Sequence, residues 1–207
     1  MTGVQTCALP ISGLNTIGTL TTTSNLQYTA SMFQSCTTLE GMPLFDVSNV
    51  ITSTAMFSGC TNLKAESLPA FNFANVTTAT TMFTGCYSLV SIPMTGFSKV
   101  TVATSMFNTA NSITSLPALN FANATTLTTF ATTCNSLGNV AITGIRATTD
   151  FSNNLMGQSA LETLFTNLGS PATTQTITIT GNYGADTAVS KTATWTATNK
   201  KIGRAHV

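Results

Sequence analysis

Five copies of one pattern, in phase, leave this chain few ways to fold. MFQSCTTL from Met32, MFSGCTNL from Met56, MFTGCYSL from Met82, MFNTANSI from Met106 and FATTCNSL from Phe130 follow one another at intervals of 24, 26, 24 and 24 residues. Inside each copy a second block recurs: MPLFDVSNV, LPAFNFANV, IPMTGFSKV and LPALNFANA, then VAITGI. A unit this short cannot bury its own apolar face, so the copies must stack and share one core. The two extra residues of the second copy fall within 64–67, between the blocks, where an insertion would sit in a turn.

Each copy reads as one short strand and one short helix. Val76, Ala79, Met82 and Phe83, then Val100, Ala103, Met106 and Phe107, then Ala124, Leu127 and Phe130, recur at i, i+3, i+6/i+7. That spacing predicts one apolar stripe on a helix of about two turns. Ser48, Asn49, Asn75 and Asn123 stand where an N-cap belongs, and Gly59 and Gly85 where the helix would end. Leu89, Ile92 and Met94, or Ile113, Leu116 and Leu119, have the L-x-x-L-x-L spacing of a leucine-rich-repeat strand. Pro43, Pro69, Pro93 and Pro117 interrupt it, since proline donates no ladder bond.

The pattern continues beyond the five copies. Leu14, Ile17, Leu20, Leu26 and Met32 fit the template one period earlier, so the array is expected to begin truncated. Downstream, Ser159 to Glu162 reads as a capping box, Leu161, Leu164, Phe165 and Leu168 form an apolar stripe, and Gly169 with Pro171 ends that helix. TITITGN, from Thr176, alternates as a strand does. A short helical stretch at 188–194 and a last strand around Trp195 would then cover the end of the core.

M-F-x-x-C-x-x-L followed by a Pro-containing strand and an N-V-T-like helix resembles the BspA-type leucine-rich repeats of bacterial surface proteins, which also occur in phage tail and virion proteins. ALETLFTNLGSPATTQTITITGNYGA, with Trp195 after it, looks like the C-terminal unit that follows such repeats in phage-like versions. The likeness spans about residues 14–198 and departs from the family pattern at Ala110, where Cys is expected, and at Ala131, where Phe is expected. The fold class expected is α/β: a leucine-rich-repeat-like, right-handed solenoid of about 24-residue strand–helix repeats.

The two ends, MTGVQTCALPI and KIGRAHV, share nothing with the repeats. Residues 4–11 can be written GTT CAG ACG TGT GCT CTT CCG ATC and residues 202–207 ATC GGA AGA GCA CAC GTC; the second is the reverse complement of a stretch of the first. Both strings resemble a translated sequencing adapter. Residues 1–11 and 201–207 are therefore expected to be adapter-derived and poorly packed, flanking repeats at 12–170 and a closing strand–helix–strand unit at 171–200. On that reading the chain is an internal, metagenomic fragment of a longer repeat protein. His206, the only histidine, then drops out of any functional argument, with Cys7, Lys201 and Arg204.

What remains carries five basic residues (Lys64, Lys99, Arg146, Lys191, Lys200) against six acidic ones (Glu40, Asp46, Glu66, Asp150, Glu162, Asp186). Only 6% of the chain is charged, far below the roughly 25% of ordinary domains, so hydroxyls and amides must keep it soluble. So weak and mixed a charge argues against nucleic acid as a partner, and no apolar run is long enough for membrane insertion.

Cys36, Cys60, Cys86 and Cys134 share one phase, so they should stack in a column with neighbours about 5 Å apart. A disulfide or a metal is conceivable there. However, zinc sites favour short C-x-x-C pairs, and Ala110 fills the same phase, so buried packing is the expected role. Without His206 no Ser–His or Cys–His pair can be drawn. Glu40 and Glu66 lie close to one phase beside the insertion, a pairing that a polysaccharide depolymerase could use; solvated turn residues are the expected reading. Met32, Met56, Met82 and Met106 could form a soft binding stripe but belong in the core. The sequons at Asn75 and Asn123 are expected by chance. Thr-rich ladders such as TQTITIT resemble ice-binding surfaces, a reading set aside because most TT pairs fall on the expected helical side. No catalytic, cofactor-binding or metal-ligating residue is assigned, no cofactor is expected, and ligand-binding residues stay unassigned.

The function expected is a non-enzymatic recognition or adhesion module. Its partner would be a cell-surface protein or glycan of a host or bacterium. The resemblance implies an extracellular location, on a virion or phage tail or, alternatively, as an adhesin on a bacterial cell surface. A structural spacer within a fibre and a polysaccharide depolymerase are also compatible with the sequence.

Overall fold

The computed structural model describes residues 25–182 and the backbone of 192–195. Expectations for the two ends, for Leu14, Ile17 and Leu20, and for residues 183–191 lie outside the described residues.

Successive repeats lie side by side through parallel, single-residue bridges. Tyr28 pairs with Thr52, Thr52 with Thr78, Thr78 with Val102, and Val102 with Thr126. Each bridge falls four residues before the Met-Phe position, so one register runs through all five copies. A second column lies in the Pro-containing block, where Asn72 pairs with Thr95 and Asn120 with Thr143. There the pairing lengthens into two short strands, β1 (Ser115–Leu116) against β2 (Asn139–Val140), parallel. Pro117 follows β1 directly and lacks the donor that another rung would use. The insertion at 64–67 forms a single 3-10 turn, Ala65–Ser67.

The helix expected in each repeat does not form; successive turns take its place. In the first repeat alternate amides point two ways. Met32, Gln34 and Cys36 donate three residues back, to Thr29, Ser31 and Phe33. Ser31, Phe33 and Ser35 donate instead to the next repeat, to the carbonyls of Thr54, Met56 and Ser58, at 2.7 to 2.9 Å. Such alternation needs left-handed residues, and they recur at two positions per repeat: Ser31 and Ser35, Ala55 and Gly59, Thr81 and Gly85, Ser105 and Thr109, Thr129 and Thr133. Each interrupts any right-handed helix. A three-residue turn brings every third side chain inward, so it leaves the same apolar spacing in sequence as a helical stripe. Ser48, Asn49, Asn75 and Asn123 accordingly cap nothing helical.

The core is a ladder of like residues. Phe33, Phe57, Phe83 and Phe107 stack with centroids 5.7, 5.5 and 5.5 Å apart. Where Ala131 interrupts the column, Phe130 from the methionine position turns its edge to Phe107 at 5.4 Å and continues to Phe151 at 5.7 Å. Met56, Met82 and Met106 are wholly buried between the repeats, as core residues and not as a binding stripe.

Past the fifth repeat the chain builds β3 (Thr149–Asp150), α1 (Gln158–Thr166), β4 (Gln175–Thr178) and β5 (Thr192–Trp195). Leu161, Leu164, Phe165 and Leu168 are buried as the stripe predicts. The capping box does not form: Gly157 is the N-cap, without a side-chain bond, which leaves Ser159 inside the first turn, while Gln158 bonds Glu162 at 2.9 Å. β3 pairs parallel with β4, but β5 runs antiparallel to β4, with Gln175 opposite Trp195. Residues 192–194 are thus strand, contrary to the helix expected over 188–194; the pairing with β4 satisfies their backbone groups. An antiparallel strand cannot propagate the parallel repeat, so β5 ends it at this edge.

Candidate recognition surface

The four repeat cysteines stand in one buried column, and none of them is in a disulfide. Cys60, Cys86 and Cys134 each donate Sγ–H to the carbonyl of the phenylalanine one repeat earlier, Phe33, Phe57 and Phe107, at 2.9, 3.1 and 2.9 Å. Burial pushes the Cys60 and Cys134 thiols up to about 12, with the neighbouring Cys36 adding to the effect at Cys60. They are neutral hydrogen-bond donors and poor nucleophiles.

The same column continues where the Met-Phe motif has faded. Asn154 donates Nδ2–H to Ala131 at 2.8 Å and accepts the Cys134 amide at 2.8 Å. Asn182 donates to Phe151 at 2.7 Å and accepts the Met156 amide at 3.2 Å. Cysteine and asparagine therefore do one job, tying each repeat to the last through a buried carbonyl. Sequence inspection missed both asparagines because the spacing drifts to 20 and then 28 residues.

The acidic residues do not converge. Glu40 pairs with Lys64 of the next repeat at 2.8 Å, both half-exposed, and this contact raises the Lys64 ammonium through the hydrogen bond to Glu40 and then its charge. Glu66 lies exposed on the 3-10 turn. Among the described residues no group of three or more His, Cys, Asp or Glu is placed to hold a metal.

What the structure does assemble is a groove of about 610 Å³ between the Pro-containing blocks of the first two repeats. Leu44, Asp46 and Ser48 form one wall; Ala70, Asn72, Ala74 and Asn75 form the other, with Phe45 and Phe71 beneath. Its origin is local. No backbone bond joins residues 44–48 to 68–75, and Phe71 turns back on Pro69 at 2.9 Å. A projecting Leu44, 68% exposed, then faces the smaller Ala70. Phe45 and Phe71 close the floor edge to face at 4.9 Å.

The groove's polar groups are fixed. The Ser48 hydroxyl and amide hold the Asp46 carboxyl below its ordinary value, so it is ionised, and the amide lies 2.8 Å from Oδ1. Asn75 donates to the Ser48 carbonyl at 2.7 Å and accepts from Lys99 Nζ at 2.6 Å; Asn123 repeats the first contact on Ser98 at 2.8 Å. Asn72 packs against Gly96, which has φ 89° and where any Cβ would collide with Asn72 Oδ1 and the backbone of Ala74. The prolines and the Leu44/Ala70 contrast were the available sequence signals.

A family model described as "Mycoplasma protein of unknown function, DUF285" matches residues 13–137. The chain belongs to that family. The DUF285 match takes in the four Met-Phe copies, FATTCNSL and both walls of the groove, and it stops short of β2 and the closing unit. No curated protein and no solved structure matches the chain.

Proposed function

We propose that the chain is a non-enzymatic recognition module, a right-handed solenoid of the leucine-rich-repeat class with turns in place of helices. It works outside the cell on a virion or phage tail, and its groove takes a neutral polar ligand, a glycan or a protein segment, from a cell surface. The observation that carries this reading is the groove itself: an exposed leucine over an aromatic floor, flanked by oriented amides and one ionised carboxylate. Apolar walls with a few placed polar groups suit a ligand that is half hydroxyl and half hydrocarbon. The cysteine–asparagine column supports the class, because leucine-rich repeats carry Asn or Cys at one position. The likeness of M-F-x-x-C-x-x-L to BspA-type repeats supports the surface location.

The test is a glycan array and intact bacterial cells probed with the whole chain and with Leu44→Asp/Asn72→Arg. Binding that the double variant loses, at unchanged circular dichroism, is expected. Absence of binding by the parent on both, or equal binding by the variant, would overturn it. Release of reducing sugar from capsule, abolished by Glu40→Gln or Glu66→Gln, would show an enzyme instead.

A further inference from the structure

The threonine pairs do not lie on helices. At each copy a bridged residue is followed by one that points inward and one that opens the next turn: Thr52-Ser53-Thr54, Thr78-Ala79-Thr80, Val102-Ala103-Thr104 and Thr126-Leu127-Thr128. The middle residue is buried at every copy, Ser53, Ala79, Ala103 and Leu127, whereas the flanking residues are half-buried from Thr52 to Thr104 and exposed at Thr126 and Thr128. The result is a grid two columns wide and four repeats long. Across each parallel bridge neighbouring repeats stand about 4.8 Å apart.

Two observations say what such a grid can meet. First, its hydroxyls are uncommitted. In the adjoining column Thr77, Thr101 and Thr125 spend their hydroxyls on the backbone of the previous repeat, at 3.2 to 3.3 Å. The grid hydroxyls of Thr52, Thr54, Thr78, Thr80, Thr104, Thr126 and Thr128 make no such bond among the described residues, leaving donors, acceptors and methyl groups in regular rows. Second, the segments 26–38, 50–62, 76–88, 100–112 and 124–136 contain no Asp, Glu, Lys or Arg. An uncharged face is matched to an uncharged partner, and a face periodic in two directions to a periodic one.

We infer that this face binds the surface of ice, its threonine grid holding a layer of ordered water that continues into the crystal. A crystalline neutral polysaccharide is the other periodic, uncharged surface, but it would be gripped by aromatic platforms. Tyr28 and Tyr87 are the exposed aromatic rings among the described residues; Tyr28 stands at the head of the first column, bridged to Thr52, as a single ring and not a platform, and Tyr87 lies outside the columns.

The experiment is ice-recrystallisation inhibition and partitioning into a growing ice hemisphere, with the whole chain, Thr80→Lys/Thr104→Lys, Thr80→Val/Thr104→Val and Ser170→Lys. The parent and Ser170→Lys, altered on an exposed residue away from the grid, are expected to inhibit and to enter ice. The lysine pair should lose both activities; the isosteric valine pair retains the shape and should keep part of them. A parent no different from albumin overturns the inference, as does a lysine pair that remains active while folded. If the lysine pair fails to fold, the valine pair decides: any activity below the parent's in a folded valine pair supports the grid, and full activity refutes the role of its hydroxyls. Binding to crystalline chitin or cellulose without ice activity would assign the face to a glycan. The groove variant Leu44→Asp/Asn72→Arg leaves the grid intact, so failure of the recognition reading would be seen separately.

Discussion

Asn154 offers the sharpest test of how the repeats are tied together. It is 3% exposed and makes three side-chain bonds: Nδ2 to Ala131 and Phe151, each 2.8 Å, and Oδ1 from the Cys134 amide, 2.8 Å. Replacing it with leucine keeps the volume and removes all three. The Phe151 carbonyl retains Asn182 at 2.7 Å, so two groups are stranded, the Ala131 carbonyl and the Cys134 amide. An unsatisfied buried group costs about 1–3 kcal/mol, and added apolar burial offsets part of that, giving an expected loss of about 2–5 kcal/mol for Asn154→Leu. Asn154→Cys should restore the bond to Ala131, as Cys134 makes to Phe107 at 2.9 Å, and strand only one group. It should therefore recover about 1–2 kcal/mol relative to leucine. The assay is equilibrium urea unfolding, followed by circular dichroism and by fluorescence of Trp195, the chain's single tryptophan. Leucine as stable as the parent, or cysteine no better than leucine, would refute the equivalence of the two residues in the column.

Four further outcomes follow from the same geometry. Ser53 Oγ is buried without a partner, at a phase that Ala79 and Ala103 occupy elsewhere; Ser53→Ala should be neutral or stabilise by up to about 1 kcal/mol in thermal melts. Thr109 has φ 57° where Gly85 has φ 70°, so Thr109→Gly should stabilise and Gly85→Thr destabilise, each by about 1 kcal/mol. The Glu40–Lys64 bond is half-exposed, and a double-mutant cycle on it should show only a small coupling that vanishes in high salt. The Cys60 and Cys134 thiols are raised from 9.0 to about 12 in the folded chain. Their contribution is complete below the unfolded value and is lost as pH rises from about 9 towards 12. Urea midpoints should fall across that window, less steeply in Cys60→Ala, and a thiol reagent at neutral pH should label them only on unfolding.

The contrast between what was and was not legible in the sequence has a single physical source. Stacking was legible because identity at one phase, Met-Phe and then Cys, is local text, and a stacked core demands repetition at fixed spacing. The helix at Val76 to Phe83 was illegible because an apolar residue every third position satisfies two backbones. One is an α-helix that bonds to itself; the other is a run of turns that gives alternate amides away, as Phe83 does to Met106 at 2.8 Å. Choosing between them requires the partner repeat, 24 residues distant. Gly59 and Gly85 did mark the left-handed position, but Ser35, Thr109 and Thr133 occupy it too, so glycine read as an end of helix where it was one instance of a repeated conformation. The candidate sites were hidden for the same reason. The groove arises where the first two Pro-containing blocks share no backbone bond, and the threonine grid exists only because turns replaced helices. Once the amides are known to alternate, a T-x-T with a small or apolar centre must present both hydroxyls outward, and the grid follows from the repeat itself.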